Sequence, residues 1–114
     1  IFKEDNLIVD FRTYTLSVGS VPKFLDLFEN IGLPIQKEIL GNFLAMFKHE
    51  FGNTNEIIHM WGYESFQDRE KRRLDCAKNE KFIEYVKEAR QYIIKQEVKL
   101  LIPTPSSPIL GIKL

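Results

Sequence analysis

The feature of this sequence that most constrains its fold is the order in which two hydrophobic periodicities alternate along the chain. A period of two, typical of β-strands, marks residues 7–16, 42–51, 56–63 and 97–102. Apolar residues at helical spacing occupy 21–40, after the first strand, and 66–93, after the third. The order strand, helix, strand, strand, helix, strand predicts an α+β, ferredoxin-like βαββαβ fold, in which helices cover one face of a four-stranded antiparallel sheet.

Local signals indicate where the helices begin and break. Gly32 and Pro34 are predicted to break or kink the first helix, because glycine and proline both disfavour a helix interior. Ser65, with Asp68 three residues later, is typical of a helix N-terminus. Asn79 can cap a further helix, so the second helical region is predicted to be split in two.

The strands are apolar on both sides, although the predicted helices cover only one face of the sheet. Along 56–63, Ile58 and Met60 share one face, while Trp61 and Tyr63 share the other. A sheet with two apolar faces needs a cover on both. The second cover is predicted to be another copy of the chain, so that two sheets pack together in a homodimer. The strand at 42–51 is likewise apolar on both sides, because alternation predicts one face with Phe43, Ala45, Phe47, His49 and Phe51 and the other with Leu44, Met46, Lys48 and Glu50.

Composition excludes several classes of function. The chain has 114 residues, and its 16 basic and 16 acidic side chains cancel, so it lacks the positive charge of a nucleic-acid-binding protein. Cys76 is the only cysteine, which excludes an internal disulfide and a thiolate metal cluster. The sequence has no apolar run of the ~20 residues that a membrane span requires. The chain does not begin with Met, which leaves open whether a further segment precedes it.

Three motifs in order resemble the NIPSNAP family. They are Phe11–Leu16 with the following Gly19, Ile58–Ser65 with the charged residues after it, and Leu100–Pro105. Together they extend over residues 7–108. The resemblance implies a dimeric α/β barrel and a single NIPSNAP-like domain over 1–114, with a core at 7–103 and an extended arm at 104–114. Gly62 departs from the family, which often has a longer polar residue at that position.

The resemblance implies less about activity. Animal members of the family are linked to vesicle traffic and mitochondrial signalling, and the wider barrel group includes cofactor-independent monooxygenases. It implies a mitochondrial location for a eukaryotic protein and a cytoplasmic location for a bacterial one.

A second set of residues suggests a ligand pocket. Because side chains alternate along strands, Arg12 and Tyr14 share one face, as do His59, Trp61 and Tyr63. We expect these five side chains to line one cavity between the sheet and the partner subunit. Arg12 would hold a carboxylate or enolate, and His59 would transfer a proton near neutral pH. The alternative is structural, with His59 hydrogen-bonded inside the sheet and Trp61 buried in the core or the dimer interface.

The charged run 68–73 has two interpretations. Pairing of Asp68 with Arg72 at i+4 and of Glu70 with Arg73 at i+3 favours a solvated helix face, and the alternative is that Arg69 turns inward to hold an acidic ligand or partner. Cys76 follows on this helix, where neighbouring arginines could lower its pKa, although the better interpretation is a small apolar side chain. With only two histidines, His49 and His59, we expect no metal site and no cofactor.

Two functions therefore remain open. The first is a non-catalytic homodimer that binds a partner or a small organic ligand. The second is a cofactor-independent monooxygenase or isomerase that acts on a small aromatic or enolisable substrate. The enzyme would need a cavity of about 300 Å³ with converging polar groups. The binding module could have its interior filled by Phe43, Phe47 and Trp61.

Overall fold

A computed structural model describes residues 7–108 of the chain. It confirms the predicted α+β, ferredoxin-like order of elements. In chain order these are β1 (Ile8–Leu16), α1 (Val21–Leu27), a π-helical segment (Phe28–Gly32), α2 (Leu33–Leu40), β2 (Asn42–Lys48), β3 (Glu56–Tyr63), α3 (Phe66–Lys78), α4 (Glu80–Ala89), a 3-10 turn (Arg90–Tyr92) and β4 (Ile93–Leu101).

The four strands form one antiparallel sheet in the order β2-β3-β1-β4. Its two central strands, β1 and β3, pair with Arg12 opposite His59 and Asp10 opposite Trp61. The helices pack on the face that carries these residues. The core therefore lies between this face and the helices, where Leu16, Phe24, Phe28, Ile57, Tyr85 and Ala89 form the larger cluster and Leu40, Trp61, Tyr63 and Cys76 the smaller.

Of the predicted break or kink at Gly32 and Pro34, the break does not occur, because the chain remains helical from Val21 to Leu40. The π-helical segment widens the turn there, and the N–H of Leu33 donates to the carbonyl of Phe28, five residues earlier. Glycine is required at position 32 for another reason, since a Cβ there would lie 2.4 Å from Cζ of Tyr85. α4 thus packs directly against the backbone of this segment.

The predicted starts of the two later helices are confirmed. The side chain of Ser65 accepts a hydrogen bond from the N–H of Asp68 at 3.0 Å, and that of Asn79 accepts one from the N–H of Phe82 at 3.0 Å. Because each cap satisfies a backbone donor that the helix cannot satisfy itself, Asn79 can end α3 and begin α4 without a gap.

The predicted alternation along the second strand is wrong at one point. A β-bulge between Phe43 and Ala45 shifts the register, so that Phe43 pairs with Trp61 but Phe47 pairs with Ile58. Phe43 consequently faces the helices, with its ring 4.9 Å from that of Trp61. Phe47 lies on the opposite face and is 54% exposed, so the two phenylalanines cannot fill one interior.

Two element boundaries also differ from the sequence prediction. β2 ends at Lys48, before His49 and Phe51, and β4 begins at Ile93 instead of at 97. The long β4 is an edge strand, and most of its residues are exposed. Residues 104–108 form turns, and the rest of the predicted C-terminal arm, 109–114, lies outside the described residues.

Candidate functional site

The predicted pocket residues of β1 and β3 do share one face of the sheet, but that face is the one under the helices. The ring of His59 lies 4.9 Å from the ring of Tyr14 and 5.5 Å from that of Phe28, which belongs to the helical layer. Trp61 and Tyr63 are both fully buried. The expectation that this group lies between the sheet and a partner subunit is therefore wrong.

Asp10 is the centre of a buried ionic cluster, which we call the Asp10 cluster: Asp10, Arg12, Arg69 and Arg73. The Asp10 side chain is 0% exposed. Its carboxylate oxygens lie 3.3 Å from Nη1 of Arg12, 3.1 Å from Nε of Arg69 and 3.2 Å from Nη2 of Arg73. One carboxylate thus balances three guanidinium groups, and only Arg69 has a second carboxylate partner among the described residues, Glu70.

The Asp10 cluster corrects the interpretation of the charged run as a solvated face. Arg69 and Arg73 turn inward from α3, with side chains 16% and 20% exposed. The predicted i+4 pair between Asp68 and Arg72 does form, with Nε and Oδ1 2.9 Å apart. The predicted partner of Arg73, Glu70, pairs instead with Arg69.

Several donors around the Asp10 cluster are incompletely satisfied. Within residues 7–108, the Tyr63 hydroxyl and two nitrogens of Arg73, Nε and Nη2, are buried without a hydrogen bond of good geometry. Burial raises the pKa of the Tyr63 hydroxyl against the opposing charge of Arg73, so the phenol remains a donor. The surroundings of Asp10 are therefore rich in donors and carry excess positive charge.

His59 is the second polar group of the site, and its two ring nitrogens have different roles. Nδ1 accepts a hydrogen bond from Nε1 of Trp61 at 3.1 Å. Nε2 is buried and has no partner within the described part of the chain. Burial, together with the charges of Arg12 and Arg73, lowers the pKa of His59 to about 3, although Asp10 acts in the opposite direction. His59 is therefore a neutral imidazole at pH 7, which argues against the proton transfer that the sequence suggested for it.

A cavity of about 280 Å³ lies between the sheet and the helices, next to His59 and the Asp10 cluster. Its polar side chains come from β1, β3, β4, α2, α3 and the 3-10 turn, and its apolar wall comes mainly from α4. The lining residues are Arg12, Tyr14, Phe28, Gln36, His59, Arg73, Cys76, Ala77, Phe82, Tyr85, Val86, Ala89, Arg90, Ile93 and Gln96.

Of the six residues predicted for a ligand pocket, Arg12, Tyr14 and His59 line this cavity. The cavity is not lined by Trp61, Tyr63 or Arg69. Trp61 orients His59 through the hydrogen bond to its Nδ1, and Arg69 shares the carboxylate of Asp10 with Arg12. Nε of Arg12 donates to the Tyr14 hydroxyl at 3.3 Å.

Sequence reasoning missed Asp10, Arg73 and Gln36. Asp10 could have been found, because it lies two residues before Arg12 on the same strand face. Arg73 could have been found as well, since it lies one helical turn after Arg69.

Two further expectations concern reactive groups. Burial raises the pKa of the Cys76 thiol and outweighs the effects of Arg73 and Arg12, which favours the interpretation of Cys76 as a small apolar side chain over that of a reactive thiol. Within residues 7–108, no three side chains of the His, Cys, Asp and Glu types are grouped as metal ligands.

No described helix is both long enough and apolar enough to cross a bilayer.

Comparison with known proteins gives consistent matches. The NIPSNAP family model matches residues 9–108. A Dictyostelium discoideum protein, "Protein NipSnap homolog", is 31% identical over 99 residues, which cover 87% of this chain but only 44% of that protein. The chain thus spans less than half the length of this relative.

Two crystal structures from Agrobacterium tumefaciens have the same fold. One is of a NIPSNAP family protein that is 34% identical, with 91% of each chain covered and a TM-score of 0.88. The other, of a NIPSNAP family protein with unknown function, is 32% identical, with 94% of this chain and 96% of that chain covered and a TM-score of 0.88.

Proposed function

This chain belongs to the NIPSNAP family, and from that premise we propose that it forms a homodimer in which each protomer binds a small organic acid in the cavity beneath its helices. One observation carries the proposal: a charged donor, Arg12, and a neutral donor, His59, line the same partly apolar cavity. A cavity of about 280 Å³ is close to the lower end of the range for small-molecule sites, about 300 Å³.

The charge of the site favours an acid over a neutral or basic ligand. Tyr14 and Asp10 raise the pKa of Arg12 although burial alone would lower it, so the guanidinium is charged. Arg73 brings a second cation to the same cavity. Because Asp10 balances only part of this charge, a carboxylate or enolate would be attracted, and arginine suits it through parallel N–H···O contacts.

The chemistry of His59 favours binding over catalysis. A general base that works at pH 7 needs a pKa near 7. With a pKa of about 3, His59 is a hydrogen-bond donor and acceptor but not a proton acceptor under those conditions. The monooxygenase or isomerase alternative would need another base, so the binding function is better supported.

The exposed face of the sheet supports the homodimer. Opposite the helices it carries Phe11, Ala45, Phe47, Ile58 and Met60, which are half-buried or exposed although the sheet's other face is covered. A contiguous apolar surface of this kind is typical of an interaction site. A second copy of the chain would cover it with an identical surface, as a two-fold symmetric interface requires.

The binding site is tested with phenylacetate as the probe. Wild-type protein should bind phenylacetate, and Arg12→Met should weaken that binding roughly 10- to 100-fold, because a charge-assisted hydrogen bond contributes about 1.5–3 kcal/mol. Arg72→Met is the matched control, since Arg72 carries the same charge but does not line the cavity. Isothermal titration calorimetry measures all three. Equal weakening by both variants, or no binding of phenylacetate and benzoate at millimolar concentration, would contradict the proposed site.

The dimer is tested with a charge at the centre of the exposed face. Multi-angle light scattering should give wild-type protein twice the chain mass of 13.4 kDa. Met60→Glu should give the monomer mass, because a carboxylate buried without a partner in an apolar interface is strongly disfavoured. Leu74→Glu places the same charge on α3, where Leu74 is 55% exposed, and should leave the dimer intact. A monomeric wild-type protein would refute this part of the proposal.

A further inference from the structure

The hydrogen-bond partner of Nδ1 fixes the tautomer of His59. The indole N–H of tryptophan can only donate a hydrogen bond, so Nδ1 of His59 must accept the bond from Trp61. In a neutral imidazole one nitrogen accepts and the other carries the hydrogen. The hydrogen of His59 is therefore on Nε2.

This Nε2–H is a donor that lacks an acceptor. His59 is 2% exposed, and within residues 7–108 Nε2 has no hydrogen-bond partner. A buried donor without a partner is costly, so such groups are rare unless something else satisfies them. Because His59 lines the cavity, an acceptor on a ligand bound there can satisfy this donor.

Arg12 provides the complementary donor at the neighbouring position of the sheet. Its Nε donates to Tyr14 and its Nη1 to Asp10, whereas its Nη2 has no hydrogen bond to another described residue. Arg12 and His59 are directly opposite each other in the β1–β3 register and share a face. Directly opposed side chains have Cβ atoms about 4.5–5.5 Å apart. Two acceptors on neighbouring carbon atoms of one small ligand can therefore meet both donors.

We propose that the bound acid is a 2-oxo acid, whose carboxylate pairs with Arg12 while its keto oxygen accepts the hydrogen bond from Nε2–H of His59. This inference rests on the proposed function and adds the second recognition element to it. A keto oxygen is a neutral acceptor, so it matches the neutral donor Nε2–H of His59, while the carboxylate beside it matches the charged guanidinium of Arg12. The apolar wall formed by Phe82, Val86 and Ile93 leaves room for an apolar or aromatic body.

Two ligands that differ at a single position test this inference. Benzoylformate carries a keto oxygen next to its carboxylate, and phenylacetate carries a CH₂ group at that position. Wild-type protein should bind benzoylformate about tenfold more tightly than phenylacetate in calorimetric titrations, which corresponds to one buried hydrogen bond. The His59→Asn variant keeps an acceptor for Trp61 but has no donor at the position of Nε2. It should bind the two ligands with equal affinity, because it loses the donor that only the keto oxygen of benzoylformate uses.

The outcomes separate this inference from the proposed function. Equal affinities in wild-type protein, or a preference that survives in His59→Asn, would overturn the 2-oxo acid inference and leave the acid site intact. Failure of both ligands to bind folded wild-type protein would overturn the proposed function itself. If His59→Asn does not fold, histidine labelled with ¹⁵N in wild-type protein replaces it. Benzoylformate should then shift the Nε2–H resonance of His59, and phenylacetate should not; identical spectra would contradict the inference.

Discussion

The Asp10→Ala variant should lose about 3–5 kcal/mol of unfolding free energy, which is enough to unfold many proteins of this size. Asp10 is the carboxylate shared by three arginines and is itself fully buried. Its removal leaves Arg12 and Arg73 without any carboxylate partner among the described residues, and an uncompensated buried charge is far more costly than a broken surface pair. Urea denaturation at fixed protein concentration measures the change.

Asp75→Ala is the matched control for this prediction. Asp75 pairs with Lys71 on the same helix that carries Arg69 and Arg73, but the two side chains are 53% and 78% exposed. Pairs of this kind contribute about 0–1 kcal/mol, so the variant should unfold close to wild type. Similar losses in the two variants would mean that the Asp10 cluster is not a principal source of stability.

The sequence was sufficient to predict which residues share a face of the sheet, but not which face the helices cover. Strand alternation is a local property, so it correctly grouped Arg12 with Tyr14 and His59 with Trp61. Both faces of the central strands are apolar, however, so burial alone does not distinguish the covered face from the exposed one. The polar group was consequently expected at the subunit interface, whereas it lies beneath the helices.

The bulge in β2 could not be predicted, and for a related reason neither could the contacts between β1 and α3 that form the Asp10 cluster. The extra residue between Phe43 and Ala45 is defined by pairing with β3, and no glycine marks it in the sequence. The pairing of Arg69 with Asp10 joins residues 59 positions apart. Helix periodicity identifies only partners three or four residues away. It correctly paired Arg72 with Asp68, but it favoured a solvated position for Arg73 and left the inward position of Arg69 as the alternative.

The burial of His59 predicts that the unfolding free energy of the protein falls in acid. The pKa of His59 is about 3 in the folded protein, compared with an ordinary value of 6.5, because burial and the charges of Arg12 and Arg73 outweigh Asp10. Between these two pH values the unfolded chain binds the proton and the folded protein does not, so stability falls as the pH falls below 6.5. The loss from this residue should reach about 2 kcal/mol at pH 5 and about 4 kcal/mol at pH 3.

Other groups also titrate in this range, so the prediction concerns a difference between variants. Urea denaturation at pH 7, 6 and 5 should show that His59→Asn lacks the loss of about 2 kcal/mol that wild-type protein suffers by pH 5. His49→Asn provides the control, because it removes the histidine that pairs with Glu56 near the surface and keeps His59. It should retain the wild-type loss. If His59→Asn and wild-type protein lost stability in parallel, His59 would have to be protonated in the folded protein, and its Nε2–H would then no longer be a neutral donor.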